Sequence, residues 1–135
     1  MPVEWNSYLA IGVERIDNQH KEIFRRVNEF MDAINQGNGP LRVTEVLNYL
    51  NSYTLTHFRD EEEIMEKTHY LCYDFHKREH EKFCKDILKL QEQIALKGVN
   101  MVSVLQTSHV MVKWLVQHIM ETDKALADHM RSSNS

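Results

Sequence analysis

Glycine and proline are scarce, four and two in 135 residues. That is too little punctuation for the many short strands of a sandwich or barrel. Two cysteines, Cys72 and Cys84, cannot make a disulfide scaffold; on one helix they would stand roughly 18 Å apart at ~1.5 Å rise per residue. No block of Lys or Arg occurs, and the net charge is −4 with histidines neutral, which argues against a nucleic-acid surface or a membrane-surface anchor. No apolar run approaches the ~18 residues needed to span a bilayer. The start, Met1-Pro2-Val3-Glu4-Trp5, shows neither a basic n-region nor an apolar h-region, so no export signal is expected. Apolar content of 42% and charged content of 27% are globular values. The expectation is one soluble, cytoplasmic, mostly helical domain.

What the chain does have is eight histidines and four long apolar stripes at helical spacing. The first runs through His20, Ile23, Phe24, Val27, Phe30, Met31 and Ile34, giving a helix over about 18–36 with Asp17 as N-cap. The second, Val43 to Met65, predicts a helix over about 41–66. In the third, Tyr73, His76, His80, Phe83, Ile87, Leu90 and Ile94 alternate steps of three and four, predicting a helix over about 70–97. The fourth, from Met101 through Leu115 and His118 to Ala125, predicts about 100–130. No segment alternates long enough to be a strand. Four such helices on short connections imply an all-α, antiparallel up-down-up-down four-helix bundle. Residues 1–16 are too apolar for a free tail and are expected as an extended arm on the bundle of 17–130, with 131–135 a polar tail.

Each apolar stripe also carries ionisable groups, which have no place in a core without partners. They are His20 on the first helix, His57 and Glu61 on the second, His76 and His80 on the third, and His118 with Asp123 on the fourth. Taken singly, a histidine on an apolar face is most simply a hydrogen-bonded core residue, and His57/Glu61 a local ion pair. Taken together, five histidines and two carboxylates converging from four helices are costly to bury without a cation. Seven ligands exceed one tetrahedral zinc and suit two six-coordinate-type ions, with iron, manganese and cobalt all compatible. His118 and Asp123 are five apart, ~140° on an ideal helix. Either the backbone widens locally toward i→i+5 bonding near 118–123, or the site lies between the two directions. His69, His109 and His129 are read as non-ligands, Cys72 as a small buried residue, and the run Arg59–Glu63 as a solvated face apart from Glu61.

The set His20, His57-Phe58-x-x-Glu61-Glu62, His76-x-x-x-His80 and Trp114-Leu115-x-x-His118-x-x-x-x-Asp123 closely resembles the hemerythrin family. Ile16-Asp17-Asn18-Gln19-His20, preceded by Trp5 and Gly12, is similar to its single-domain bacterial branch. The resemblance implies two Fe ions per chain. His76, His80 and His118 would hold one and His20 and His57 the other. Glu61 and Asp123 would bridge both, with an oxo or hydroxo group completing the bridge. The first iron is then closed and the second keeps a vacancy where dioxygen binds reversibly. Leu115 is placed beside that vacancy as a pocket wall, with Trp114, Ile119 and Phe24 as further lining or core residues. The implied function is oxygen storage, delivery or buffering rather than catalysis, with dioxygen as ligand and an O₂-consuming protein as candidate recipient. The alternatives are a di-iron enzyme (peroxidase, nitric-oxide detoxification or iron repair) and an O₂-sensing module acting through a partner. The ferritin-like di-iron design needs two Glu-x-x-His motifs, and this chain has one, Glu66 to His69.

Overall fold

A computed structural model describes residues 3–133. Helix α1 spans Glu14–Asn35, α2 Gly39–Lys67 and α3 Tyr73–Lys97. A fourth rod follows, made of α4 (Met101–His109), π-helical segments Val110–Val116 and His118–Asp123, and α5 (Lys124–Ser133). No strand occurs among the described residues, and none of the helices there is long and apolar enough to cross a membrane. Cross-helix contacts fix the direction of each rod. His20 meets Glu61 while Gly39 packs beside Ile34, and Tyr73 meets Glu66 while Gln91 meets Asn48. On the fourth rod Thr122 meets Glu79, and Ser108 meets Met31. Each rod therefore runs antiparallel to its neighbour in an up-down-up-down bundle.

The connectors explain two shifts in helix boundaries. Asp17 is not the N-cap of α1, which begins three residues earlier, behind Val13. From inside the first turn, the Asp17 carboxylate reaches back to accept the N–H groups of Ile11 (2.8 Å) and Gly12 (3.3 Å). It thus closes the bend between arm and helix. Helix α3 begins at Tyr73 rather than near 70 because α2 ends in a Schellman turn. The Tyr70 N–H donates to Met65 O and the His69 N–H to Glu66 O, with His69 itself left-handed at φ 56°. Further on, Asn100 and Ser103 form a reciprocal capping box that starts α4. Gly39 opens α2 where three helices meet; a Cβ there would lie 2.8 Å from Val104 Cγ1 and 3.2 Å from Ile34 Cγ1.

Two apolar clusters stack along the bundle axis. The larger includes Ile23, Phe24, Phe58, Phe83, Leu115 and Ile119. The smaller comprises Ile11, Ile16, Met65, Leu126, Ala127 and Met130. On α1, α2 and the fourth rod the chain passes from one cluster to the other through a polar belt, at His20, at Glu61 and at Asp123. The arm covers one side. Val3 and Asn28 exchange two hydrogen bonds at 2.9 Å, Leu9 and Ile11 are buried, and the Arg131 guanidinium donates to the carbonyls of Ser7, Tyr8 and Ala10.

Candidate metal centre

All seven candidate ligands reach the polar belt, and all are at most 4% exposed. The second helix sends in His57 and Glu61 one turn apart, and α3 does the same with His76 and His80. The widened backbone over His118–Asp123 bonds i→i+5, so residues five apart become one turn apart. This brings His118 Nε2 to 3.1 Å from Asp123 Oδ1. The π-helical stretch extends further than the ligand spacing alone suggests, beginning at Val110.

The two carboxylates divide their oxygens. Glu61 Oε2 faces His20 Nε2 (2.9 Å) and His57 Nε2 (3.1 Å), while Glu61 Oε1 faces His80 Nε2 (3.1 Å) and His76 Nε2 (3.5 Å). Asp123 Oδ2 faces His20 Nε2 (3.0 Å), while Oδ1 faces His76 Nε2 (2.8 Å) and His118 Nε2. The result is two converging donor groups that share both carboxylates. One is His76, His80, His118, Glu61 and Asp123; the other is His20, His57, Glu61 and Asp123. Within each, donor atoms lie within 4.8 Å of one another, close enough to surround one cation.

The electrostatics fit the same reading. Among the described residues, buried side-chain N and O atoms without hydrogen-bond partners belong to all seven of these residues, with only Trp5 Nε1 and Tyr49 Oη elsewhere. So many orphaned polar atoms aimed at one place would be destabilising unless a cation engages them. Without one, the cluster gathers protons instead. Burial alone would lower His20 and His76, but the Asp123 and Glu61 carboxylates carry both up to about 10. His118 rises against burial to about 9, through Asp123 and Glu79. Burial keeps His57 low. Burial opposes ionisation of Glu61 and Asp123, yet the facing histidines hold both well below the usual carboxylate range. The belt is built for positive charge, and its imidazole and carboxylate donors without thiolate match iron chemistry.

A scan for family membership matches the Hemerythrin HHE cation binding domain over residues 11–129. The chain belongs to the hemerythrin family. It is 34% identical over 131 residues to a bacteriohemerythrin of Pseudomonas aeruginosa (strain LESB58), covering 97% of this chain and 83% of that one. The myohemerythrin of Theromyzon tessulatum is 26% identical over 122 residues, covering 90% and 88%. The crystal structure of a hemerythrin with one leucine replaced by tyrosine superposes with a TM-score of 0.77 at 30% identity, covering 96% and 98%.

Around this hemerythrin-family centre stands a second ring of residues that the stripe pattern does not single out. His57 Nδ1–H donates to Gln19 Oε1 (2.7 Å), and the Gln19 amide donates on to Asp60 (2.8 Å). His80 Nδ1–H donates to Glu62 (2.8 Å), and His118 Nδ1–H to Glu79 (2.6 Å), which also accepts from Thr122. These bonds fix the tautomer that leaves Nε2 free to face inward. Asp60 and Glu62 are therefore half-buried partners rather than members of a solvated run. Phe58 stacks on His80 with centroids 3.8 Å apart, and Trp114 stacks on His118 at 4.9 Å. Leu115, Ile119 and Phe24 are buried in the larger apolar cluster, while Trp114 is half-buried against it. Away from the belt, His109 is exposed and His129 pairs with Thr68 (3.1 Å). Cys72 is exposed in the turn before α3, not buried as its size suggests.

Proposed function

We propose that this protein binds dioxygen reversibly at a pair of iron ions held by the seven belt residues. The observation that carries this reading is the division of each carboxylate between two histidine groups of unequal size. His76, His80 and His118 with one oxygen from each carboxylate offer five protein donors at one position; His20 and His57 with the other oxygens offer four. The ions, when bound, supply reversible electron donation to dioxygen, and the poorer position is the one with room for it.

The chain's own residues decide between carriage and catalysis. Glu61 and Asp123 bridge and fix the spacing of the two positions. The Nδ1 hydrogen bonds of His57, His80 and His118 hold the rings in plane. Among the described residues, the only other buried polar side chains are Thr54, Ser103 and Thr107. Each spends its hydroxyl on a backbone carbonyl, of Leu50, Asn100 and Ser103 respectively. No fully buried side chain beyond the ligands has a hydroxyl or carboxyl left to deliver a proton, and the unpartnered Tyr49 Oη belongs to a residue two turns of α2, roughly 12 Å of axis, before His57; this favours release of dioxygen intact over its cleavage. By the hemerythrin resemblance Leu115, with Ile119 and Phe24 in the same apolar cluster, would wall the poorer position and exclude water from it, while Trp114 stacks on His118. The optical spectrum of the reduced, iron-loaded protein tests the reading. A new charge-transfer band should appear under oxygen and vanish under argon through repeated cycles. A single irreversible oxidation, or sustained turnover with peroxide or nitric oxide, would overturn it.

A further inference from the structure

The outer ring is unequal in charge, and the inequality follows the two donor groups. His80 and His118, both in the three-histidine group, donate Nδ1–H to carboxylates, Glu62 at 2.8 Å and Glu79 at 2.6 Å. His57, in the two-histidine group, donates to a neutral amide, Gln19. His20 Nδ1 in that group and His76 Nδ1 in the other are both buried without a partner, so the contrast lies between His57 on the one side and His80 and His118 on the other. A carboxylate acceptor makes a stronger, charge-assisted hydrogen bond. It pushes electron density through the ring to Nε2 and raises the basicity of the inward donor.

Building on the two-ion reading above, we infer that Glu62 and Glu79 are positioning residues that make the three-histidine position the tighter one, filled first and emptied last. Gln19, a neutral acceptor, adds to the disadvantage that the two-histidine position already has in offering four protein donors against five. A glutamate at position 19 would keep the acceptor for His57 but lose the donor that Gln19 gives to Asp60 at 2.8 Å, so the charge is best introduced together with Asp60→Asn, whose amide restores that donor. The Thr122 hydroxyl fixes Glu79 from a second side, so the acceptor does not depend on the metal for its place. The stacked rings of Phe58 and Trp114 hold the two carboxylate-supported imidazoles and no others in the belt face to face with an aromatic plane.

The test uses cobalt(II) under anaerobic conditions, with chelator competition to resolve the steps and visible absorption to follow occupancy. The wild-type chain should take two cobalt ions in two resolved steps. His118→Ala should abolish the tighter step and His57→Ala the weaker one. Glu62→Gln and Glu79→Gln keep an acceptor but lose the charge. Each should weaken the tighter step roughly 10–100-fold and leave the weaker one within about twofold. Gln19→Glu combined with Asp60→Asn should tighten the weaker step, an effect that simple structural damage does not produce. Two cobalt ions binding with equal affinity, glutamate variants that act on the weaker step or on neither, or a Gln19→Glu/Asp60→Asn variant with an unmoved weaker step would overturn the inference alone. Uptake of a single ion by the wild-type chain would overturn the two-ion reading and the inference with it.

Discussion

Replacing Leu115 with alanine separates packing from function at one residue. Leu115 is 0% exposed and belongs to the apolar cluster shared with Phe24, Phe58 and Ile119. The truncation removes three carbons, worth about 2.4 kcal/mol at ~0.8 kcal/mol per buried carbon group. The cavity left behind adds up to ~24 cal/mol per Å³. A total loss of about 3–5 kcal/mol follows, or roughly 10–20 °C in Tm for a domain of this size. Leu115 offers no donor atom, so iron content should not change. A purely apolar cavity of this size would stay dry, but one opening onto imidazole and carboxylate donors gives water the polar partners it needs. The folded, iron-replete Leu115→Ala protein should therefore lose its oxygenated spectrum faster and admit azide faster. Stopped-flow and slow optical traces on the same sample, with its melt and iron count, give all four quantities. An unchanged decay rate at full iron occupancy would refute the wall and leave Leu115 a packing residue.

Four further outcomes follow from the geometry. The metal-free protein should lose stability as pH rises from about 6.5 through 9–10. His20, His76 and His118 are proton-loaded in the fold well above their unfolded value near 6.5, so their contribution is complete below that value and gone above the folded ones. The loaded protein should behave oppositely in acid, where protonation of the imidazoles releases the metal; paired melts from pH 5 to 9.5 check both, and an apo melt that stays flat from 6.5 to 9.5 would contradict the first. Loading metal at pH 7 should accordingly release protons, on the order of two to three per chain, measurable by calorimetry in buffers of different ionisation heat; heats independent of the buffer would count against it. Gly39→Ala should destabilise by about 1–3 kcal/mol, because the added Cβ meets Val104 at 2.8 Å; a denaturant midpoint equal to wild type would show that the helix junction yields.

The bundle was legible because burial imposes a 3.6-residue rhythm, and the histidines were conspicuous because they interrupt it. Helix ends were less so. Asp17 has the chemistry of an N-cap but spends it on Ile11 and Gly12, one turn outside the helix. His69 occupies a left-handed position usually held by glycine, so nothing in its side chain announces the turn. The five-residue spacing of His118 and Asp123 left open a widened backbone or a site between the two directions; the backbone is widened, and no pattern foretold that this begins at Val110. Gln19 and Glu62 stand in the motifs that carry the resemblance, but the stripe pattern gives no role to them or to Glu79, for a geometric reason. Each is next to a ligand in sequence, about 100° around the helix from it, and so reads as a solvent-facing polar residue. Its partner lies on another helix, which only the assembled bundle brings near.

Glu61 and Asp123 each turn one oxygen toward each of two histidine groups, which under the proposed function makes two metal positions in one chain. The most direct measurement is the iron content of the fully loaded, folded protein against protein concentration, taken alongside the His57→Ala variant. The account predicts two irons per chain in the wild type and one retained in the variant, at the three-histidine position. One iron per chain in the saturated wild type would contradict it.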